Sequence, residues 1–451
     1  VHIGRVGAAA GVTLAALLAA TAIGTTTVAA APDSGVAATP VRGSAADGPG
    51  TRHVEYFSSP TAHPRHVEIP AAAPARLAAA RTESARDGEV TPVVENGPSA
   101  DRLDIVVVGD GYTEAELARF RVDAKEKWQD ITGVEPYTTY QDLFNVWAVD
   151  AVSAESGVSG DPSRDVVRDT ALGSSFWCGD IERLLCVDTD KVDSYAAEAP
   201  EADLVLVVAN TAKYGGAGYN DVSSELGYDG IATVAGGNEL SGQIAVHETG
   251  HSLGRLADEY TYADYGRYTG SEPGAANSTT YTAGQLADRQ AKWYRWLGEP
   301  TPDGGTIGAY EGSGYYPQGL YRPSENSIMR TLGREFSTVG REAMIAGFYR
   351  HAKPLAGVTG TQRTLTRDDR ATVAVPRLTG DARPIAPRWY LDGKEIGALR
   401  GESSVFVRQL GLDRNGRTHR LTATALDPTA AVRDPALRAL LKASRTWAVR
   451  G

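Results

Sequence analysis

Cysteine and methionine are the scarcest of the reactive residues here, two of each in 451 positions. Cys178 and Cys186 can close one short loop with each other or remain as two buried thiols, and no larger disulfide framework is open to the chain. Histidine is also rare, at eight residues, so any ordered grouping of it stands out. Positive charge is in deficit: 45 Lys and Arg against 56 Asp and Glu leave a net charge of −11. That balance excludes nucleic acid, or an anionic membrane, as the main partner. Internal repeats are absent. What remains is ordinary, 42% apolar and 22% charged, enough for real cores in two to three domains.

The N-terminal stretch reads as a targeting segment. Arg5 precedes an Ala-, Leu- and Val-rich run over 6–31, and Val28-Ala29-Ala30 fits the small-x-small rule for cleavage after Ala30. A membrane anchor is the rival, since the run is long enough to span. Its alanines, glycines and threonines make it weakly apolar and favour a signal peptide over 1–30. The expectation is a secreted, extracellular protein with no stable membrane insertion after cleavage. Residues 31–97 are rich in Ala, Pro, Gly and Ser and read as a linker or pro-segment, with room for a strand or two over 51–70. His53, His63 and His66 lie there and read as solvated polar residues.

The chemistry is concentrated at Val246-His247-Glu248-Thr249-Gly250-His251. On a helix, His247 and His251 stand one turn apart on one face and can reach a single metal ion. Glu248 is placed to touch a water on that ion. This is the H-E-x-x-H arrangement of zinc metallopeptidases, in which neutral imidazoles leave the ion's charge free to acidify water and the glutamate moves its proton. Eight histidines would give the pattern by chance in roughly one chain in a hundred. Three further features support it. Gly254 can end the helix in a left-handed residue, Asp258-Glu259 can return past the metal, and Ser327-Ile328-Met329 is similar to the Met-turn beneath the metal in metzincins. Asn238 can cap the helix, and Leu240, Ile244, His247 and His251 form one stripe.

The metzincin pattern places a third histidine where this chain has Ala257, with Asp258 one position on. Here the sequence resembles the IgA-peptidase family of secreted zinc metallopeptidases, which carries H-E-x-x-H, a nearby glycine and a following D-E-Y. The resemblance covers about 101–355 and includes Asp104-Ile105-Val106-Val107-Val108-Gly109-Asp110-Gly111-Tyr112 and Tyr321-Arg322-Pro323. It implies one Zn²⁺ per chain, with His247, His251 and Asp258 as ligands and Glu248 as base. Glu259 is the alternative third ligand. A thermolysin-like third ligand is set aside, because Glu272 sits in the turn Gly270-Ser271-Glu272-Pro273-Gly274. No cysteine precedes Cys178, which excludes a thiolate-based propeptide block; inhibition by 31–97 would need another group or a filled cleft. In astacin-like enzymes a tyrosine follows the methionine by two residues, where this chain has Thr331. Tyr316, Tyr321 and Arg330 are therefore the candidates for oxyanion stabilisation.

Around this motif, 103–108 reads as a buried strand, Thr113-x-x-Glu116 as a capping box, and Leu117, Phe120, Ala124, Trp128 and Ile131 as a helix stripe. A strand over 145–152 completes a β-α-β unit with parallel neighbours. Further strands are expected at 204–209 and 231–235, and helices near 191–199 and at 339–351. The glycine-rich segment 214–230 is either a substrate-holding edge strand or a plain loop. Residues 260–321 hold ten of the twenty tyrosines with Trp293 and Trp296, as a cleft wall or as a space-filling subdomain. From 357 on, alternating runs at 372–375, 388–391, 404–407, 421–425 and 446–449 suggest a small β-sandwich.

The expected organisation is a signal peptide over 1–30, a pro-segment over 31–97, a catalytic domain over 98–355 and a β-sandwich over 356–451. The catalytic fold is an α/β (α+β) metzincin-like zincin with a mixed twisted sheet and an active-site helix. The expected function is a zinc endopeptidase acting on proteins or peptides, glycosylated ones included. The alternative is a protein- or glycan-binding module with a structural zinc.

Overall fold

Eight strands form the central sheet of the computed structural model, which describes residues 51–70, 84–220, 224 and 226–451. Residues 39–451 cluster as one unit, and every contact below lies inside it. The leader expected over 1–30 falls outside the described residues. In chain order the strands are β1 (Thr51–Tyr56), β2 (Arg65–Pro70), β3 (Val90–Val94), β4 (Leu103–Asp110), β5 (Phe144–Val149), β6 (Leu204–Ala209), β7 (Gly216–Tyr219) and β8 (Ile231–Ala235). Across the sheet they run β2-β1-β7-β8-β6-β4-β5-β3. The inner four, β8, β6, β4 and β5, are parallel. Both flanks pair antiparallel.

β4 is buried along its whole length because both faces of the sheet are covered. Ile105 and Val107 enter one core, and Val106 and Val108 enter the other. The first core is roofed by α1 (Leu117–Thr132), α2 (Tyr137–Tyr140), α4 (Gly242–Ser252) and α6 (Thr338–His351); the second by α3 (Thr189–Ala196). The Thr113–Glu116 capping box is present, and it closes a single 3-10 turn, Glu114–Glu116, before α1 starts at Leu117. All five residues of the α1 stripe are buried. After α4 come the short helix α5 (Ala283–Arg289) and an antiparallel pair, β9 (Tyr310–Ser313) and β10 (Tyr316–Arg322).

Two parts of 31–97 belong to the sheet: the strands expected over 51–70 are present, and β3 is an addition to the sequence reading. β3 pairs with β5, and the β1–β2 hairpin pairs with β7. The reason is alternation along the strand. Val54 and Tyr56 face the core that holds α3, whereas Phe57 reaches the core that holds α4.

The C-terminal part contains two antiparallel sheets. One is β11 (Ala356–Gly357), β12 (Arg370–Ala374) and β15 (Ser404–Phe406). The other is β13 (Arg388–Leu391), β14 (Lys394–Glu395), β16 (Thr418–Leu426) and β17 (Lys442–Arg450). They share a core that includes Leu365, Val373, Trp389, Val405, Leu421 and Trp447. A helix absent from the sequence reading, α7 (Pro435–Leu440), sits between β16 and β17. Beside it Val432 and Leu441 are buried in the core that holds α4 and α6. Asp427, fully buried, accepts hydrogen bonds from the hydroxyls of Tyr140 (2.9 Å) and Tyr349 (3.0 Å). Cys178 and Cys186 are joined in a disulfide. Among the described residues no helix is long and apolar enough to cross a membrane.

Candidate metal centre

α4 leaves β8 through a short turn and enters the core almost at once. Its N-cap is Ser241, three residues after the expected Asn238. Asn238 instead accepts from the Leu240 amide within the turn, and Leu240 is 52% exposed rather than part of the buried stripe. The helix proper begins with Gly242, so only Ile244, His247 and His251 of the expected stripe lie on it. Its end also differs from expectation. The left-handed residue is Arg255 (φ 51°), whereas Gly254 serves close packing: a Cβ there would lie 2.6 Å from the Gly250 carbonyl oxygen and from Met344 Sδ. The reversal brings residues 256–259 back over the helix end.

Four side chains converge where the chain returns. One ligand atom each from Glu55, His247, His251 and Asp258 lies within 4.8 Å of the others. The two histidine Nε2 atoms are 3.1 Å apart. Asp258 Oδ1 is 3.2 Å from His247 Nε2 and 3.3 Å from His251 Nε2. Glu55 comes from β1, with Oε1 3.5 Å from His247 Nε2 and Oε2 3.3 Å from His251 Nε2. Donors about 2.0–2.1 Å from a tetrahedral ion stand roughly 3.3–3.4 Å from one another, close to the edges between the two histidines and Asp258, while Glu55 meets the two histidines through different oxygens. Each imidazole is oriented by its other nitrogen, His247 Nδ1 on the Ile328 carbonyl (2.9 Å) and His251 Nδ1 on the Leu256 carbonyl (2.8 Å). That fixes the Nδ1–H form and turns both Nε2 lone pairs to the centre. Glu55 Oε2 and Asp258 Oδ1 are buried with no hydrogen-bond donor. Two buried carboxylate oxygens and two inward imidazole nitrogens fit a divalent cation and little else.

A cation and protons compete for the two Nε2 atoms. Burial opposes charge on both histidines, yet the carboxylates of Glu55 and Asp258 outweigh it and raise His247 to about 10 and His251 well above its usual value. Asp258 is held well below the carboxylate range against burial, chiefly by His251. The pocket favours positive charge at its centre.

Glu248 lies beside this cluster and is not one of the four. Burial, with Glu55 next, raises its carboxyl to about 7. Oε2 accepts from Asn220 Nδ2 at 2.9 Å, and Oε1 is buried with no donor. Its seat depends on β7: a Cβ on Gly218 would lie 1.8 Å from Glu248 Oε2. Gly218→Ala is expected to lower turnover about 100-fold with metal content unchanged, because the carboxylate must move by an ångström or more. A rate within twofold of the parent, with metal retained, would show that strand and carboxylate move apart freely.

Met329 lies under α4, where a Cβ on Gly250 would come within 2.4 Å of its Sδ. Glu259, the alternative third ligand, turns away: it accepts from Ser327 Oγ (2.7 Å) and Asn277 Nδ2 (2.9 Å). Glu272 accepts from Thr279 and Thr280, off the centre. The three oxyanion candidates have these contacts. Tyr316 packs edge-on against Tyr265 and Tyr268, Tyr321 pairs through its main chain with Thr279, and Arg330 donates to the Glu325 carbonyl. The phenol at the site is Tyr315, one residue off, in a left-handed turn (φ 72°) that swings it inward. It donates to Asp258 Oδ2 at 2.6 Å, and Tyr260 donates to Glu55 Oε1 at 2.7 Å. Tyr260, Tyr262, Tyr265, Tyr315 and Tyr316 form a run of tilted, stacked and edge-on ring contacts beside the centre, while Trp293 and Trp296 fill a separate small core. The aromatic segment therefore serves both as wall and as filler.

His66 is not a solvated polar residue, whereas His63 is exposed as expected. His66 Nε2 lies 2.8 Å from Tyr315 Oη and 3.4 Å from Asp258 Oδ2, with the His53 ring stacked on it. His63 reaches the Arg330 carbonyl at 3.0 Å. Sequence reasoning missed Glu55, Tyr315, Asn220 and His66. For Glu55 the available signal was a carboxylate between Val54 and Tyr56 in a strand-like run.

The model of a known family, described as IgA Peptidase M64, matches residues 91–303 and 300–348. No curated protein matches the chain. The hairpin that carries Glu55 lies outside the matched residues.

Proposed function

The chain belongs to the IgA Peptidase M64 family, and on that premise we propose that it is an exported zinc endopeptidase with His247, His251 and Asp258 as ligands and Glu248 as general base. The observation that carries this reading is the convergence of two histidines and one aspartate beside a buried glutamate whose Oε1 has no donor. A zinc ion held there would polarise the scissile carbonyl and lower the pKa of a water. Glu248 would take that water's proton on the carboxylate and deliver it to the leaving amine. Asn220 holds one carboxylate oxygen so that the other faces the centre. Tyr315, released from Asp258, is the phenol near enough to steady a developing oxyanion. In this reading 98–355 carries the chemistry and 356–451 supports it. Export is supported by the leader-like run over 6–31 and by the Cys178–Cys186 disulfide, which suits an oxidising compartment. The substrate would be an extended peptide paired with β7, and nothing in the site selects immunoglobulin in particular.

One observation favours a second reading, a binding module with a structural metal. Glu55 completes four protein donors, as in closed structural sites. Against it stands the seat of Glu248, which a structural site does not need. A chelator-sensitive assay on denatured casein separates the two: hydrolysis abolished by chelator and restored by zinc supports the peptidase, and no hydrolysis by zinc-loaded protein freed of its hairpin removes it.

A further inference from the structure

The β1–β2 hairpin sits where a peptidase must leave room. Three features of it are independent of one another. First, Glu55 is 1% exposed and shares its pocket with a second carboxylate, Asp258. Burying a carboxylate costs several kcal/mol, of order, unless a positive charge compensates it. Among the described residues the groups facing it are His66, His247, His251 and the Tyr260 hydroxyl, with Oε2 still lacking a donor. Second, β1 lies antiparallel to β7, pairing Glu55 with Gly218 and Tyr56 with Ala217. It therefore fills the sheet edge that passes directly over Glu248. Third, Phe57 is fully buried, its ring edge-on to the His247 ring at 5.5 Å between centroids. A bulky side chain two residues past the metal-facing one thus occupies a slot beside the centre. The hairpin also spans the cleft, for the Tyr262 hydroxyl donates to the Pro64 carbonyl at 2.8 Å and His63 meets the Arg330 carbonyl.

We propose that this hairpin is the chain's own cleft-filling inhibitor: Glu55 takes the coordination place that a reacting water needs, and β1 takes the β7 edge that a substrate needs. The inference rests on the zinc-peptidase reading above. It adds a fourth, displaceable metal ligand and a latent state that ends when residues 51–70 leave. Displacement breaks only two residue pairs between β1 and β7, but it must also draw Val54 and Phe57 out of the two cores.

The test compares full-length parent with Glu55→Ala and Phe57→Ala, each loaded with Co²⁺ for visible spectroscopy and with Zn²⁺ for casein hydrolysis. In the parent the cobalt spectrum should ignore azide, since four protein donors fill the ion. In Glu55→Ala azide should shift the spectrum, and hydrolysis should rise at least about tenfold, as for an enzyme whose open form was a minor fraction. Phe57→Ala retains the carboxylate and should move both readouts in the same direction by less. Azide shifting the parent and Glu55→Ala alike, with equal hydrolysis, overturns the proposal. So does loss of metal from Glu55→Ala, which would make Glu55 a permanent structural ligand. If azide enters only Glu55→Ala and neither protein cuts casein, Glu55 keeps its place at the metal and the peptidase reading is what falls.

Discussion

Replacing Glu248 by glutamine is expected to lower kcat on casein by about three decades while bound zinc stays at the parent level. The residue touches none of the four converging donor atoms, so metal retention follows from geometry. Its seat is set by Asn220 and by the bare backbone at Gly218, and glutamine fits the same volume. What it cannot do is accept the water's proton. The measurement is single-turnover hydrolysis beside metal content, made on the full chain in a Glu55→Ala background. An unchanged rate would remove Glu248 from the chemistry. A lost metal would mean that the carboxylate supports the ligands rather than the reaction.

Asp258→Ala is the second large effect. Its Oδ1 faces both imidazoles, and its Oδ2 accepts from Tyr315 with His66 close by. Removal takes one donor from the ion and leaves a buried phenol without its acceptor. Zinc affinity should fall by at least ~100-fold, more than loss of a partner outside the ligand set would cause, read by competition with a chromophoric chelator. Glu259→Ala is the informative control. That carboxylate serves Ser327 and Asn277, so its loss should cost about 1–3 kcal/mol of stability with zinc affinity kept. The reverse pattern would move the third ligand by one residue.

Local periodicity made much of this legible. Buried β-branched runs announce β4, β6 and β8, and the stripe from Leu117 to Ile131 announces α1. The four-residue step between two histidines announces the centre itself, because helix geometry converts spacing into a shared face. The Asp258-Glu259 pair was legible as an acidic return past the metal, but the choice of Asp258 came through family resemblance, since it depends on a reversal at Arg255 that favours no side chain by its composition. Asn238 and Ser241 are both good caps, and packing of the helix start against α1 chose between them. Tyr315 and Tyr316 differ by one residue, and a left-handed backbone turn decided which points inward. Glu55 was least legible. It lies 192 residues before His247 in the chain, and long-range pairing of β1 with β7 leaves no trace in either strand alone.

The Asp427 carboxylate bears on how this protein can be cut. Two phenols of the enzyme half, Tyr140 and Tyr349, depend on it, and Val432 and Leu441 fill the same interior as Phe348. A truncated product ending near residue 355 would therefore strand two hydroxyls and bare an oily hollow behind α6. The carboxyl-terminal strands are less a detachable tail than a plug, and recombinant fragments trimmed to the family-matched stretch should come out of cells insoluble.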